Sequence, residues 1–116
     1  MASAKASISR VPIGPRKMRL VADLIRGQKV MDARDILTYT TKVSAPIIQK
    51  VLESAVANAE NAASEAGERI DSDEMIITHI SVDPGPTMKR FMPAPRGRAV
   101  KIRKRSSHLQ LVIAEG

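Results

Sequence analysis

Apolar side chains recur at helical spacing over the first two thirds of this chain and at strand spacing over much of the rest. Met18, Val21, Ala22 and Ile25 fall at i, i+3, i+4 and i+7, joined by Leu24, which predicts an amphipathic helix over 15–26. Gly14-Pro15 suits its first turn and Gly27 its end, while Arg16, Arg19, Asp23 and Arg26 make the opposite face. A shorter helix is expected at about Met31–Thr40, burying Ala33, Ile36 and Leu37. The third is the clearest: Ser44 is placed to cap it, Pro46 sits in its first turn, and Ile47, Ile48, Val51, Leu52, Ala55, Val56, Ala59 and Ala62 form one stripe. The acidic stretch Glu65–Glu74, with Gly67, reads as the loop that ends it.

From Met75 the period falls to two. Ile76, Thr78, Ile80 and Val82 alternate with Ile77, His79 and Ser81, which predicts a strand. Further strands are expected at Val100–Arg105 and Leu109–Ile113, and a weak one at Ala2–Arg10. The predicted fold class is α+β: a small globular body of three helices packed on a small antiparallel sheet, with a long protruding β-hairpin arm. The arm is placed at about 84–104 because that stretch has strand-like residues without an apolar face to bury. About ten residues each way at ~3.3 Å per residue gives it a reach of roughly 30 Å. Residues 1–83 and 105–116 make the body, and the whole is expected to be a single domain.

Composition narrows the chemistry. The 116 residues are 43% apolar and 27% charged, a globular balance. Without cysteine there are no disulfides or thiolate metal sites, which fits a reducing cytoplasm. No apolar run is long enough to span a membrane. The first 22 residues are basic in the manner of a transit peptide, but they run straight into the first helix, so the mature chain is expected to begin near Met1. His79 and His108 are too few for a histidine-rich zinc site, and the acids of 65–74 lack calcium-loop spacing. Phosphate loops, nucleophile elbows and HExxH patterns are all missing. No catalytic constellation converges, so no enzyme activity, cofactor or metal is expected.

Charge is the decisive feature. Residues 1–30 carry +6, residues 31–83 carry −6 and residues 84–116 carry +7. Between Pro84 and Ala114 lie eight Lys and Arg residues and no acid, and four of the seven prolines fall between 84 and 95. Such a segment repels itself and buries little carbon, so it needs a polyanion; nucleic-acid phosphate fits, with counterion release as the driving force. The RNA-binding candidates are Arg10, Arg16, Lys17, Arg19 and Arg26 near the first helix. Those of the arm are Lys89, Arg90, Arg96, Arg98, Lys101, Arg103, Lys104 and Arg105. Eight arm cations on eight phosphates would give a log K against log salt slope of roughly −5 to −7.

Tyr39 and Phe91 are the only aromatics, too few for a base-stacking platform, and no helix has the make-up of a major-groove reader. Backbone and shape recognition of a folded RNA remains, with Gly85 and Gly97 allowing close approach. Two other readings stay open on these residues alone. One is a homodimeric DNA-bending protein with paired β-arms. The other is a protein-interaction module working through the acidic third helix.

The segments Lys17-Met18-Arg19-Leu20-Val21-Ala22-Asp23-Leu24-Ile25-Arg26-Gly27, Ile36-Leu37-Thr38-Tyr39-Thr40 and Val51-Leu52-Glu53-Ser54-Ala55-Val56-Ala57-Asn58-Ala59-Glu60-Asn61 resemble the bacterial large-subunit ribosomal protein twenty-two family. So do Gly85–Pro93, Gly97-Arg98-Ala99 and Lys104–His108. The resemblance is collinear over nearly the whole chain. It implies a structural constituent of the large subunit that binds 23S-type ribosomal RNA, touches several RNA domains and aids early assembly. It also implies a body near the polypeptide exit and a hairpin lining the exit tunnel through Met88, Lys89, Arg90, Phe91, Met92, Pro93, Ala94, Pro95, Arg96, Gly97 and Arg98. The implied partners are ribosomal RNA, neighbouring ribosomal proteins and the nascent peptide in transit, with no membrane and no homo-oligomer.

Overall fold

The computed structural model describes residues 3–85, 88–93, 99–104 and 106–115. In chain order these form β1 (Ser3–Val11), α1 (Pro15–Ile25), α2 (Val30–Tyr39), α3 (Ser44–Glu65), a 3-10 turn at Ser72–Glu74, β2 (Ile76–Pro84), β3 (Met88–Pro93), β4 (Ala99–Lys104) and β5 (Ser107–Ala114). Three helices on a three-stranded antiparallel sheet make the body, as the periodicities predict.

The sheet order is β1-β5-β2, so the last strand in sequence is the central one. Its alternation is clean: Ser107, Leu109, Leu111 and Ile113 are buried while Gln110 is exposed. All three helices lie on the buried face, α1 along β2 and α3 along β1, with α2 bracing both helices. Met18, Ile25, Ile48, Leu52, Ile77, Leu109, Leu111 and Ile113 fill the space between the layers.

Local chemistry sets the joints. Pro15 starts α1 with its fixed φ, and Gly27 ends it at φ 79°, a value that costs glycine little. Arg26 is extended before Gly27, and the Gln28 N–H donates to the Ile25 carbonyl at 3.1 Å, closing a turn that needs φ > 0 at its third residue. The Gly27 N–H then donates to the Ile77 carbonyl and the Val30 N–H to that of Met75, sewing the α1–α2 corner to the edge of β2. Arg34 of α2 forks onto Glu53 of α3 at 2.6 and 3.1 Å and reaches Asp73 at 2.5 Å, holding both helices to the acidic loop.

β3 and β4 form a separate two-stranded antiparallel sheet, in register from Met88 opposite Lys104 to Pro93 opposite Ala99. The β2–β5 ladder of the body runs out to Asp83 opposite His108 and Pro84 opposite Ser107, and the Gly85 N–H donates to the Ser106 carbonyl at 2.9 Å. The molecule measures 67 × 27 × 16 Å, with a Cα radius of gyration of 17.7 Å against about 13 Å for a compact chain of this size.

Four expectations need correction. Leu24 is 50% exposed, because sheet and neighbouring helices cover only Met18, Val21, Ala22 and Ile25. Ala63, not Ala62, continues the α3 stripe. Ser44 is a buried first-turn residue, and Val43 occupies the cap position without a side-chain cap bond. In β2 an irregularity between Ile77 and His79 shifts the phase, so Ile77, Ile80 and Val82 face the core together and Ile76 does not share their burial.

Candidate nucleic-acid interface

The basic residues of the body divide into two kinds by what their side chains already touch. Arg16 and Lys17, in the first turn of α1, are exposed and form no ion pair with another described residue. Arg19 and Arg26 stand two turns apart on the flank of α1 beside β2, the edge strand. Arg19 donates from Nε and Nη2 to the Val82 carbonyl at 3.2 and 2.9 Å, and Arg26 Nη2 donates to the Ile80 carbonyl at 2.9 Å. Arg26 also pairs with Asp23. These two arginines, read from sequence as part of an exposed basic face, thus cover the outer edge of β2.

Arg10 stands where the β1 register shifts between Ile8 and Val11, with φ 57°, unusual for a residue bearing a Cβ. Its N–H donates to His108 Nδ1 at 3.1 Å, which holds the bulge against β5. The ring nitrogen accepts here, so His108 is a structural member of the hairpin root.

Along the hairpin, backbone placement gives the positions of the cations. Lys89 opposes Arg103, Arg90 opposes Ile102 and Phe91 opposes Lys101, with Lys104 opposite Met88. Positions 94–98 and 105, which include Ala94, Pro95, Arg96, Gly97, Arg98 and Arg105, lie outside the described residues.

The root of the hairpin contains functional-looking residues that sequence reasoning missed. Ser107 is fully buried, and its hydroxyl donates to the Ile13 carbonyl at 2.5 Å. Gly85 leaves no room for a side chain: a Cβ there would meet Ser106 Oγ at 2.5 Å and His108 Nε2 at 3.3 Å. Nothing local in sequence marks a buried serine. The Gly85 signal was read only as freedom to approach a ligand.

Acidic charge is gathered elsewhere. Glu53, Asp73 and Glu74 belong to α3 and the following loop, where they pair with Arg34 and Lys29. Hydrogen bonding to Glu74 raises the pKa of Lys29, and the bond to Glu53 raises that of Arg34. Both cations are committed to the body. Among the described residues no group of three or more His, Asp and Glu side chains converges in a way that could hold a metal ion. No helix of the described residues is long and apolar enough to cross a membrane.

What results is a two-sided molecule. The helix and loop side carries acids paired with Arg34 and Lys29, whereas Arg10, Arg16, Lys17 and Arg19 form no ion pair with another described residue. A family model described as Ribosomal protein L22p/L17e matches residues 6–114, taking in the helices, the sheet and the hairpin alike.

Proposed function

Because the chain belongs to the ribosomal protein L22p/L17e family, a family of structural, ribosomal-RNA-binding proteins of the large subunit, we propose that it works as a clamp between separated RNA segments. The body sits on one RNA surface through Arg16, Lys17, Arg19 and Arg26, while the arm, residues 84–104, enters the RNA interior. The observation that carries this reading is the antiparallel pairing of β3 with β4, which sets Lys89 opposite Arg103 on a hairpin that leaves the body between β2 and β5.

Physical chemistry supplies the mechanism. A hairpin with cationic positions 89 and 103 in opposition is destabilised by its own charge until phosphate lies against it. Binding therefore couples ordering of the arm to ordering of the RNA around it. Holding distant RNA segments together favours their folded arrangement, which suits a role early in subunit assembly in the cytoplasm. Met88–Arg98, which take in β3 and the positions that follow it, line the tunnel taken by the nascent peptide. The partners are large-subunit RNA, neighbouring ribosomal proteins and the passing chain; the role is structural and uses no cofactor.

The test is competition binding of the full chain to large-subunit ribosomal RNA, with duplex DNA as competitor, across a salt series. The expected result is RNA preference with a log–log slope of roughly −5 to −7 if all eight arm cations engage. Replacing Lys89, Arg90, Arg96 and Arg98 with Gln should flatten that slope by about 3–4. An unchanged slope removes the arm from the account.

A further inference from the structure

Among the described residues all three helices pack on one face of the sheet, and on the other face His108 is engaged by the Arg10 N–H while the centre of the face is left to polar side chains. Antiparallel partners point the same way, so the register places Ser7, Gln110 and Ser81 in one row across β1, β5 and β2. Ser7 and Gln110 are exposed and Ser81 is half-buried. Among the described residues none of these three side chains has a hydrogen-bond partner in the chain. On one side of the row lie Lys5 and His79, both opposite Val112; on the other lie His108 and Asp83, with Arg10 at the bulge. The row is neutral, rich in donors and acceptors, and flanked mainly by nitrogen-bearing groups.

We propose that this sheet face is a second RNA-contact surface, one that lies in the minor groove of an RNA duplex and reads ribose 2′-hydroxyls through Ser7, Gln110 and Ser81. The inference rests on the RNA-binding reading above and names a different surface and a different chemistry for it. Shape favours it: three strands at ~4.8 Å put Ser7 and Ser81 about 10 Å apart. Such a face fits the wide, shallow minor groove of A-form RNA and cannot enter the roughly 6 Å groove of B-DNA. Chemistry favours it too. Hydroxyls and an amide both donate and accept, as a 2′-hydroxyl does, whereas cations alone would bind phosphate of either sugar. Lys5 and Arg10 then supply the phosphate contacts at the rims. The face also continues toward the hairpin through the Asp83–His108 pair, so a duplex lying here is adjacent to the RNA that receives the arm.

The test uses the full chain and an RNA duplex of about two turns, with a DNA duplex of the same sequence as reference. Wild type should prefer RNA. The triple variant Ser7→Ala, Ser81→Ala, Gln110→Ala should lose about tenfold of that preference with its salt slope unchanged, because only neutral hydrogen bonds are removed. Lys5→Gln should instead lower the slope by about one and leave the RNA-to-DNA ratio alone. Circular dichroism and urea melts confirm that each variant is folded. A triple variant that keeps the preference, or a wild type that binds both duplexes alike or neither, overturns the proposal. Failure of wild type to bind large-subunit RNA is a separate outcome and would sink the earlier reading instead.

Discussion

The hydroxyl of Ser107 donates to the carbonyl of Ile13 at 2.5 Å, joining residues 94 positions apart at the point where body becomes hairpin. Ser107 is itself fully buried and opposes Val11 on one side and Pro84 on the other. Proline offers no N–H to a ladder, and the chain turning from β1 into α1 brings the Ile13 carbonyl within reach of the Ser107 hydroxyl. One hydroxyl serves that junction.

Ser107→Ala therefore leaves a part-buried acceptor without its donor. We expect a loss of about 1–3 kcal/mol, seen as a lower urea midpoint with an unchanged m value. A midpoint within error of wild type would mean that water replaces the hydroxyl.

Gly85→Ala asks Ser106 Oγ to move out of a 2.5 Å contact and the Ser106 backbone carbon to yield at 3.3 Å. The expected cost is about 1 kcal/mol. Adding Ser106→Ala should recover part of it, because the tightest contact is with that hydroxyl; a double-mutant cycle in thermal melts reads the coupling. Strict additivity would show that backbone crowding alone sets the cost.

Arg19 and Arg26 close the outer edge of β2 by donating to the Val82 and Ile80 carbonyls. Replacing both with Met keeps the aliphatic stems and removes the caps. The variant should lose about 1–2 kcal/mol and should self-associate, since an uncovered edge accepts another strand. Sedimentation velocity at rising concentration checks this; a stable monomer at every concentration would show that α1 shields the edge without its guanidinium groups.

Arg34→Lys keeps a charge but cannot fork onto Glu53 while also reaching Asp73. A loss of about 0.5–1 kcal/mol is expected, smaller in high salt because the site is partly exposed. Protease nicking between Glu65 and Glu74 should rise in parallel, and an unaltered cleavage rate would place the anchor of that loop elsewhere.

Periodicity revealed the parts that obey periodicity. Met18, Val21 and Ile25 of α1 and the stripe of α3 were readable because each helix buries one face, and the hairpin because eight cations have no acid beside them. The phase of β2 was misread because one irregular residue near Thr78 turns an alternating pattern over, and no local residue type announces it. Leu24 looked like core because hydrophobicity does not say how much of a helix its neighbours cover. Arg19 and Arg26 looked free because their partners are backbone carbonyls more than 50 residues away. The order β1-β5-β2 is likewise a long-range fact: strand alternation tells which residues face inward, never which strand sits in the middle.

That middle position bears on how the chain is made. β5 follows every other element of this fold in the chain, yet β1 and β2 have no common partner without it. While a ribosome synthesises this protein, the helices can gather early, but the sheet stays open until β5 emerges. The body thus closes only after the whole hairpin has already been delivered, so a truncated copy would lack a finished fold with which to compete for a place in a new particle.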